Sequence, residues 1–232
     1  MALVKYGGGI LNMSGSIGGQ VHSHNRSGQY VRARSKPVNP QSGRQNKIRS
    51  VTQALAQFWS NTLTQAQRDA WEVYAAAITR QNALGAQIKL TGFNHFMRSN
   101  SIRLQSDDSV ISVGPTTLTL PPADPVFAVE VDEANQQLSV TFDPLLAWNI
   151  IDLGFMYIFM SIPKATGTNF IGGPFRLAGA IDGDTASPPT SPQILSAPFP
   201  VAEDQALVCK ARISEVDGRL SDYFQHKSSV VA

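Results

Sequence analysis

The chain of 232 residues carries 19 Lys and Arg against 17 Asp and Glu, a formal net charge of +2, and 42% of it is hydrophobic, enough for a packed core. A single cysteine, Cys209, excludes an intrachain disulfide and reads as a core residue. Glycines interrupt the apolar pieces at the N-terminus, and Asn149, Asp152 and Gly154 interrupt the most apolar stretch, residues 145–162, so neither a signal-peptide core nor a membrane span is expected.

The near-neutral total conceals a strong polarity. Residues 1–68 hold nine basic side chains and no acid, Asp69 being the first; residues 1–106 sum to +11 and residues 107–232 to −9. Such a division speaks about partners: the basic half is drawn to an acidic surface, be it nucleic acid, another protein or the acidic half of a second copy.

In chain order, residues 1–20 contain six glycines and read as an extended arm, because glycine loses the most backbone freedom on ordering. Residues 20–25 and 29–34, joined by Arg26, Ser27 and Gly28, read as a hairpin whose second strand places Tyr30, Arg32 and Arg34 on one face. Lys36-Pro37 through Pro40 ends it. A helix follows over residues 41–60, with Ile48, Val51, Leu55, Phe58 and Trp59 on its apolar face and Arg44, Lys47 and Arg49 in its first turns. Positive charge there opposes the helix dipole, a cost that a partner's anions would offset.

Thr64 and Gln67 form a capping box for a second helix over residues 65–79, with Trp71, Tyr74, Ala75 and Ile78 on one face. The two helices read as an αα-hairpin with Trp59 and Trp71 in its seam. A short extended piece at residues 87–90 precedes a third helix over residues 92–105, whose apolar set is Phe93, Phe96, Met97 and Ile102.

Residues 107–125 read as a linker into an all-β half. Strands are expected at residues 127–131, 137–142, 154–160, 176–181, 200–201, 206–214 and 223–230, with Asp217-Gly218 turning the last hairpin. That number and spacing fit a β-sandwich. The runs at residues 207–213 and 217–221 resemble the penultimate strand and final turn of fibronectin type III modules. The expected fold class is therefore α+β: an extended basic arm with a β-hairpin (1–40), a small helical domain made of the αα-hairpin and the third helix (41–106), a linker (107–125), and an Ig/fibronectin III-like antiparallel sandwich (126–232).

Several constellations admit chemistry but have simpler readings. His22 and His24 face one way on a strand and could join His95 or His226 around a metal; without nearby cysteines or carboxylates they read as polar residues of the arm. Asp107-Asp108 and Asp182-Gly-Asp184 read as turn acids. No nucleophile elbow or phosphate loop is present. No catalytic residue, metal or cofactor is assigned.

The words at residues 16–20 (SIGGQ), 26–32 (RSGQYVR), 37–40 (PVNP) and 63–68 (LTQAQR), with Ala70, Trp71 and Tyr74, resemble proteins encoded among virion-structure genes of tailed bacteriophages and prophages. The resemblance covers about the first 105 residues. It implies a non-enzymatic virion component, first a capsid decoration or cement protein anchored through its basic arm, and otherwise a neck, tail or baseplate component. Its partners would be other virion proteins, such as the major capsid or a neck or tail protein, and further copies of itself. Partner contact falls to Tyr30, Arg26, Arg32, Arg34, Lys36, Arg44, Lys47 and Arg49. A rival of another class is a nucleic-acid-binding protein using the same arm and helices.

Overall fold

The computed structural model describes residues 2–25, 28–82 and 84–230. At the N-terminus, β1 (Ala2–Leu3), β2 (Gly15–Ile17), β3 (Gln20–Asn25) and β4 (Gly28–Ala33) form an antiparallel sheet of order β1-β4-β3-β2. The expected hairpin forms, with Gly28 already in β4 and paired with Asn25; Arg26 and Ser27 of the expected turn lie outside the described residues. The arm differs from expectation: Ala2 and Leu3 pair with Val31 and Tyr30, and Gly15 to Ile17 pair with His22 to Gln20, so the glycine-rich start wraps both edges of the hairpin instead of trailing from it. Left-handed backbone at Gly15, Gly18 and Gly19 makes those reversals possible without side-chain strain.

Next come α1 (Gly43–Gln57), capped by Ser42, and α2 (Gln65–Ala77), separated by a π-helical turn at Phe58–Thr62. The capping box forms as the spacing dictates: Gln67 N donates to Thr64 Oγ1 at 3.3 Å and Thr64 N donates to Gln67 Oε1 at 2.9 Å. The second helix stops at Ala77, two residues early, because Thr79 is drawn into the hairpin β5 (Thr79–Gln81) and β6 (Gln87–Lys89). α3 (Gly92–Gln105) then inserts between the first two helices.

This insertion corrects the expected Trp59–Trp71 seam. The two indoles each pack on Phe96 of α3, at 5.3 and 5.7 Å between ring centroids, and Phe58 stacks on it at 6.2 Å. Fully buried Phe96 is therefore the centre of a cluster with Val51, Leu55, Leu63, Trp71, Tyr74 and Ile78, and its burial alone is worth about 3 kcal/mol. Gly92 is required for the approach, since a Cβ there would lie 2.7 Å from the backbone nitrogen of Glu72. Residues 107–125 run along this unit: Trp71 Nε1 donates to Ser112 O, and Asn100 exchanges hydrogen bonds with the backbone of Ile111.

The second half pairs β7 (Ala128–Asp132) with β8 (Gln137–Thr141); β9 (Phe155–Ser161), β10 (Lys164–Ala165), β11 (Phe175–Asp182), β12 (Gln193–Ser196), β13 (Gln205–Ser214) and β14 (Phe224–Ser229) complete it. One sheet has the order β12-β8-β7; the other runs β11-β9-β13-β14, with β10 pairing at the start of β13. Alternate residues of both sheets, among them Val129, Leu138, Val140, Ile158, Met160, Leu207, Cys209 and Ile213, meet in one dry core. Trp148, on a 3₁₀ turn at Ala147–Ile150, plugs one end at 1% exposure, a core tryptophan that the strand pattern did not announce.

Two strand assignments change. Residues 200–201 are extended but belong to no strand: Val201 N donates to Gln136 Oε1 and Val201 O accepts from Gln136 Nε2, so a side chain takes the bonds a neighbour strand would. The strand missing from the sequence reading is β12, which pairs with β8 from Gln193↔Val140 to Ser196↔Gln137. Asp217-Gly218 lies in a longer turn than a two-residue hairpin, with a bridge between Ser214 and Leu220 below it.

Candidate functional site

The helical unit and the sandwich meet through α3. Ile102 packs with Phe155, Tyr157 and Leu220, and beside it Arg103, fully buried, donates to Ser109 O at 3.0 Å and Leu153 O at 3.3 Å and lies 2.6 Å from Asp108 as an ion pair. Its guanidinium also sits over the Phe155 ring at 4.8 Å. A turn away, Arg98 Nη2 donates to Ser221 O at 3.1 Å and meets Asp222 at 3.1 Å, where Arg80 joins it. Burial, followed by repulsion from Arg212 and Arg80, lowers Arg98 to about 10. These charges fasten the two halves; the sequence reading assigned them no role.

The basic residues expected to contact partners fall into two groups. Tyr30 lies in β4 between Leu3 of β1 and Ser23 of β3, half-buried, while Arg32, opposite Val21, is exposed. Arg34 N donates to Gly19 O at 2.8 Å, which keeps its exposed side chain in phase with Tyr30 and Arg32. Lys36 is exposed beyond the sheet, and Arg26 lies outside the described residues. On α1, Lys47 Nζ donates to Gln105 O at 3.0 Å and stands 3.8 Å from Asp107, and Arg49 Nη2 donates to Asn39 Oδ1 at 2.9 Å. Arg44 lines a groove with Ile48, Gln105 and Leu177. Lys47 thus has a carboxylate nearby and Arg49 only a neutral amide acceptor, while Arg32, Arg34, Lys36 and Arg44, like Arg49, have no ion-pair partner among the described residues.

The sheet that carries Tyr30 and Arg32 has no core of its own. None of the described residues from 2 to 50 is buried; Leu3, Val4, Val21, Tyr30 and Val31 are only half-covered and divide between its two faces. Small sheets are held by burying an apolar face, and here neither face is more than half-covered among the described residues. Exposed Ile10, Leu11 and Ile17, at 47, 89 and 69% exposure, add to the uncovered apolar surface.

The acidic half has its own concentration of charge. The pairs Asp107-Asp108 and Asp182-Asp184, distant in sequence, converge with Asp152 around a cleft of about 410 Å³ at the helix–sandwich junction. Asp152 accepts from Thr185 N at 2.8 Å, which holds its carboxyl below the ordinary range, and Asp184 accepts from Ala186 N at 2.6 Å and Ser187 N at 2.9 Å. Those bonds are the turn chemistry anticipated for Asp184. Asp182 differs: although its side chain reaches solvent, partial desolvation, followed by the nearby Asp108, pushes its carboxyl up. Gly183 and Gly154 let the two walls close on Trp148, whose carbonyl oxygen would lie 1.9 and 2.2 Å from a Cβ at either position.

The histidines do not converge. His22 Nδ1 bonds Tyr6 Oη at 2.8 Å, His226 Nδ1 accepts from Val129 N at 3.3 Å, and His95 is buried against Tyr74. Among the described residues no group of three or more His, Cys, Asp or Glu is arranged to hold a metal, and no helix is long and apolar enough to cross a membrane. Burial raises the Cys209 thiol to about 12.

No family model matches the chain, and no curated protein matches it. Among solved structures, the third fibronectin III domain of human KIAA0343 protein is similar over 53% of this chain and 93% of its own, at 12% identity and a TM-score of 0.31. A family 76 glycoside hydrolase from a bovine Bacteroides thetaiotaomicron strain is similar over 47% of this chain at 17% identity and a TM-score of 0.30; the chain spans about a fifth (21%) of that enzyme. Both likenesses are loose, and no activity follows from either.

Proposed function

We propose that this chain is a non-enzymatic structural protein of the tailed-bacteriophage virion, a capsid decoration or cement protein that docks through its basic N-terminal sheet and displays a fibronectin type III-like sandwich. The observation that carries the reading is the sparsely covered sheet: among the described residues it has four strands, no buried residue, no acid and, in Arg32, Arg34 and Lys36, three cations without an ion-pair partner on or just past β4. An element of that kind gains a covered face when it lies on a neighbour, and backbone pairing at its open edges together with charge pairing offsets the entropy of ordering it. The resemblance of about the first 105 residues to virion-gene products supplies the setting. The rest of the chain already has its own cores, so it folds around the sandwich and α3 without help from the sheet.

Deleting residues 2–36 tests this. The truncated protein is expected to remain folded by circular dichroism and to be absent from purified particles; incorporation at the full-length level overturns the anchoring role. DNA binding by the full chain that weakens steeply with salt and is lost on neutralising Arg32, Arg34 and Arg44 would instead assign the sheet to nucleic acid.

A further inference from the structure

We infer that the occupant of the Tyr30–Arg32–Arg34 face is a second copy of this chain, which receives it head to tail in the acidic cleft between α3 and the sandwich. The inference rests on the reading of the N-terminal sheet as a docking element and names its partner.

Neither charge set is satisfied within one copy. Arg32, Arg34 and Lys36 have no carboxylate partner among the described residues, and Asp152, Asp182 and Asp184 have no basic one. The sheet's own neighbour is the β5–β6 turn, with which it shares a groove lined by Val4, Leu11, Gln29, Asn82 and Leu84, not the acidic cleft. Arg32 and Arg34 stand on one side of an extended segment, about 7 Å apart along it. Two guanidinium forks at that spacing can address Asp152, Asp182 and Asp184 on one wall of the cleft and, on the other, Asp107, whose 87% exposed side chain stays open beyond its 3.8 Å pair with Lys47; Asp108 is already held by Arg103. On the cleft wall Leu153 is about half exposed, an apolar contact suited to Leu3, Val21 and Tyr30 of the same sheet face.

Arrival of a guanidinium would remove the repulsion between Asp182 and Asp108 and cover a sheet face in the same step. Because donor and acceptor surfaces differ, the contact is heterologous: each copy has one of each left to offer, and copies join into rings or rows according to the rotation between them.

The test uses the full chain in sedimentation velocity. In about 0.05 M NaCl the protein is expected to self-associate, at least about tenfold more weakly in 0.5 M NaCl, as screening shortens the range of these charges. The double variants Arg32→Glu/Arg34→Glu and Asp107→Asn/Asp182→Lys should each be monomeric under the same conditions, and their equimolar mixture should associate again, since one supplies an intact cleft and the other an intact sheet. All of these positions are exposed, and Asn keeps the left-handed backbone at 107, where φ is 61°. A monomeric parent protein, association that survives Asp107→Asn/Asp182→Lys, or a mixture that stays monomeric overturns the inference. If the arginine variant is also lost from particles while the aspartate variant associates and incorporates normally, the sheet docks on another protein: this inference falls and the anchoring role stands.

Discussion

At the scale of single residues, His95 shows how far burial can move a side chain from its reference chemistry. It is 2% exposed, its ring meets Tyr74 edge-on at 5.2 Å, and burial, reinforced by Arg98 and Arg80, lowers its pKa from 6.5 to about 4. The unfolded chain binds this proton near pH 6.5 and the folded one only near pH 4, so stability falls as pH drops through that window, by up to about 3 kcal/mol. Asp182 and Glu215, whose carboxyls burial raises, act with the opposite sign over their own shorter windows, gaining stability as pH falls. Urea unfolding at pH 7 and pH 4.5 should therefore show a loss in the parent protein that His95→Gln largely removes. An equal loss in both would place the acid sensitivity elsewhere. The sequence showed His95 only as one of several histidines open to metal binding; its burial depends on α2 and α3 crossing at Tyr74.

At the scale of elements, the sequence carries local signals and leaves long-range ones unwritten. The bounds of α3 and the capping box of α2 follow from a few neighbouring residues, and both stand where spacing puts them. Thr64→Ala should lower the stability of the full chain by about 1 kcal/mol in urea unfolding, with Thr64→Ser nearly neutral, because only the hydroxyl acceptor matters. A loss under a few tenths would mean that packing of Trp71 alone sets the start of α2. By contrast, β12 exists because β8 offers it an edge, and residues 200–201 fail as a strand because Gln136 takes their bonds. α3 carries two stripes: Phe93, Phe96 and Met97 for the helices, and His95, Ser99, Ile102 and Arg103 toward Tyr74 and the sheet. Of the second stripe only Ile102 carries an apolar signal in the sequence; the burial of His95, Ser99 and Arg103 is decided by the contacts of the fold.

At the scale of the whole molecule, the chain divides into parts with and without a core of their own. Amides of β9 and β13, flanked by paired strands and buried side chains, should exchange with solvent only on global unfolding, while those of β1 to β4 exchange quickly in the free protein and become protected in the assembled state. Hydrogen exchange on free and particle-bound protein measures this directly; slow exchange of β1 to β4 in the free chain would mean that the sheet holds itself together. The sequence by itself determined the charge polarity, a hairpin at residues 20–34, the helices and most sandwich strands, because each rests on composition or on contacts between near neighbours. Only the tertiary structure decided that Phe96 separates the two tryptophans, that Arg98 and Arg103 clamp the halves together, and that two pairs of turn acids form one cleft. Those outcomes depend on which surfaces meet across long stretches of chain, and periodicity carries no record of that.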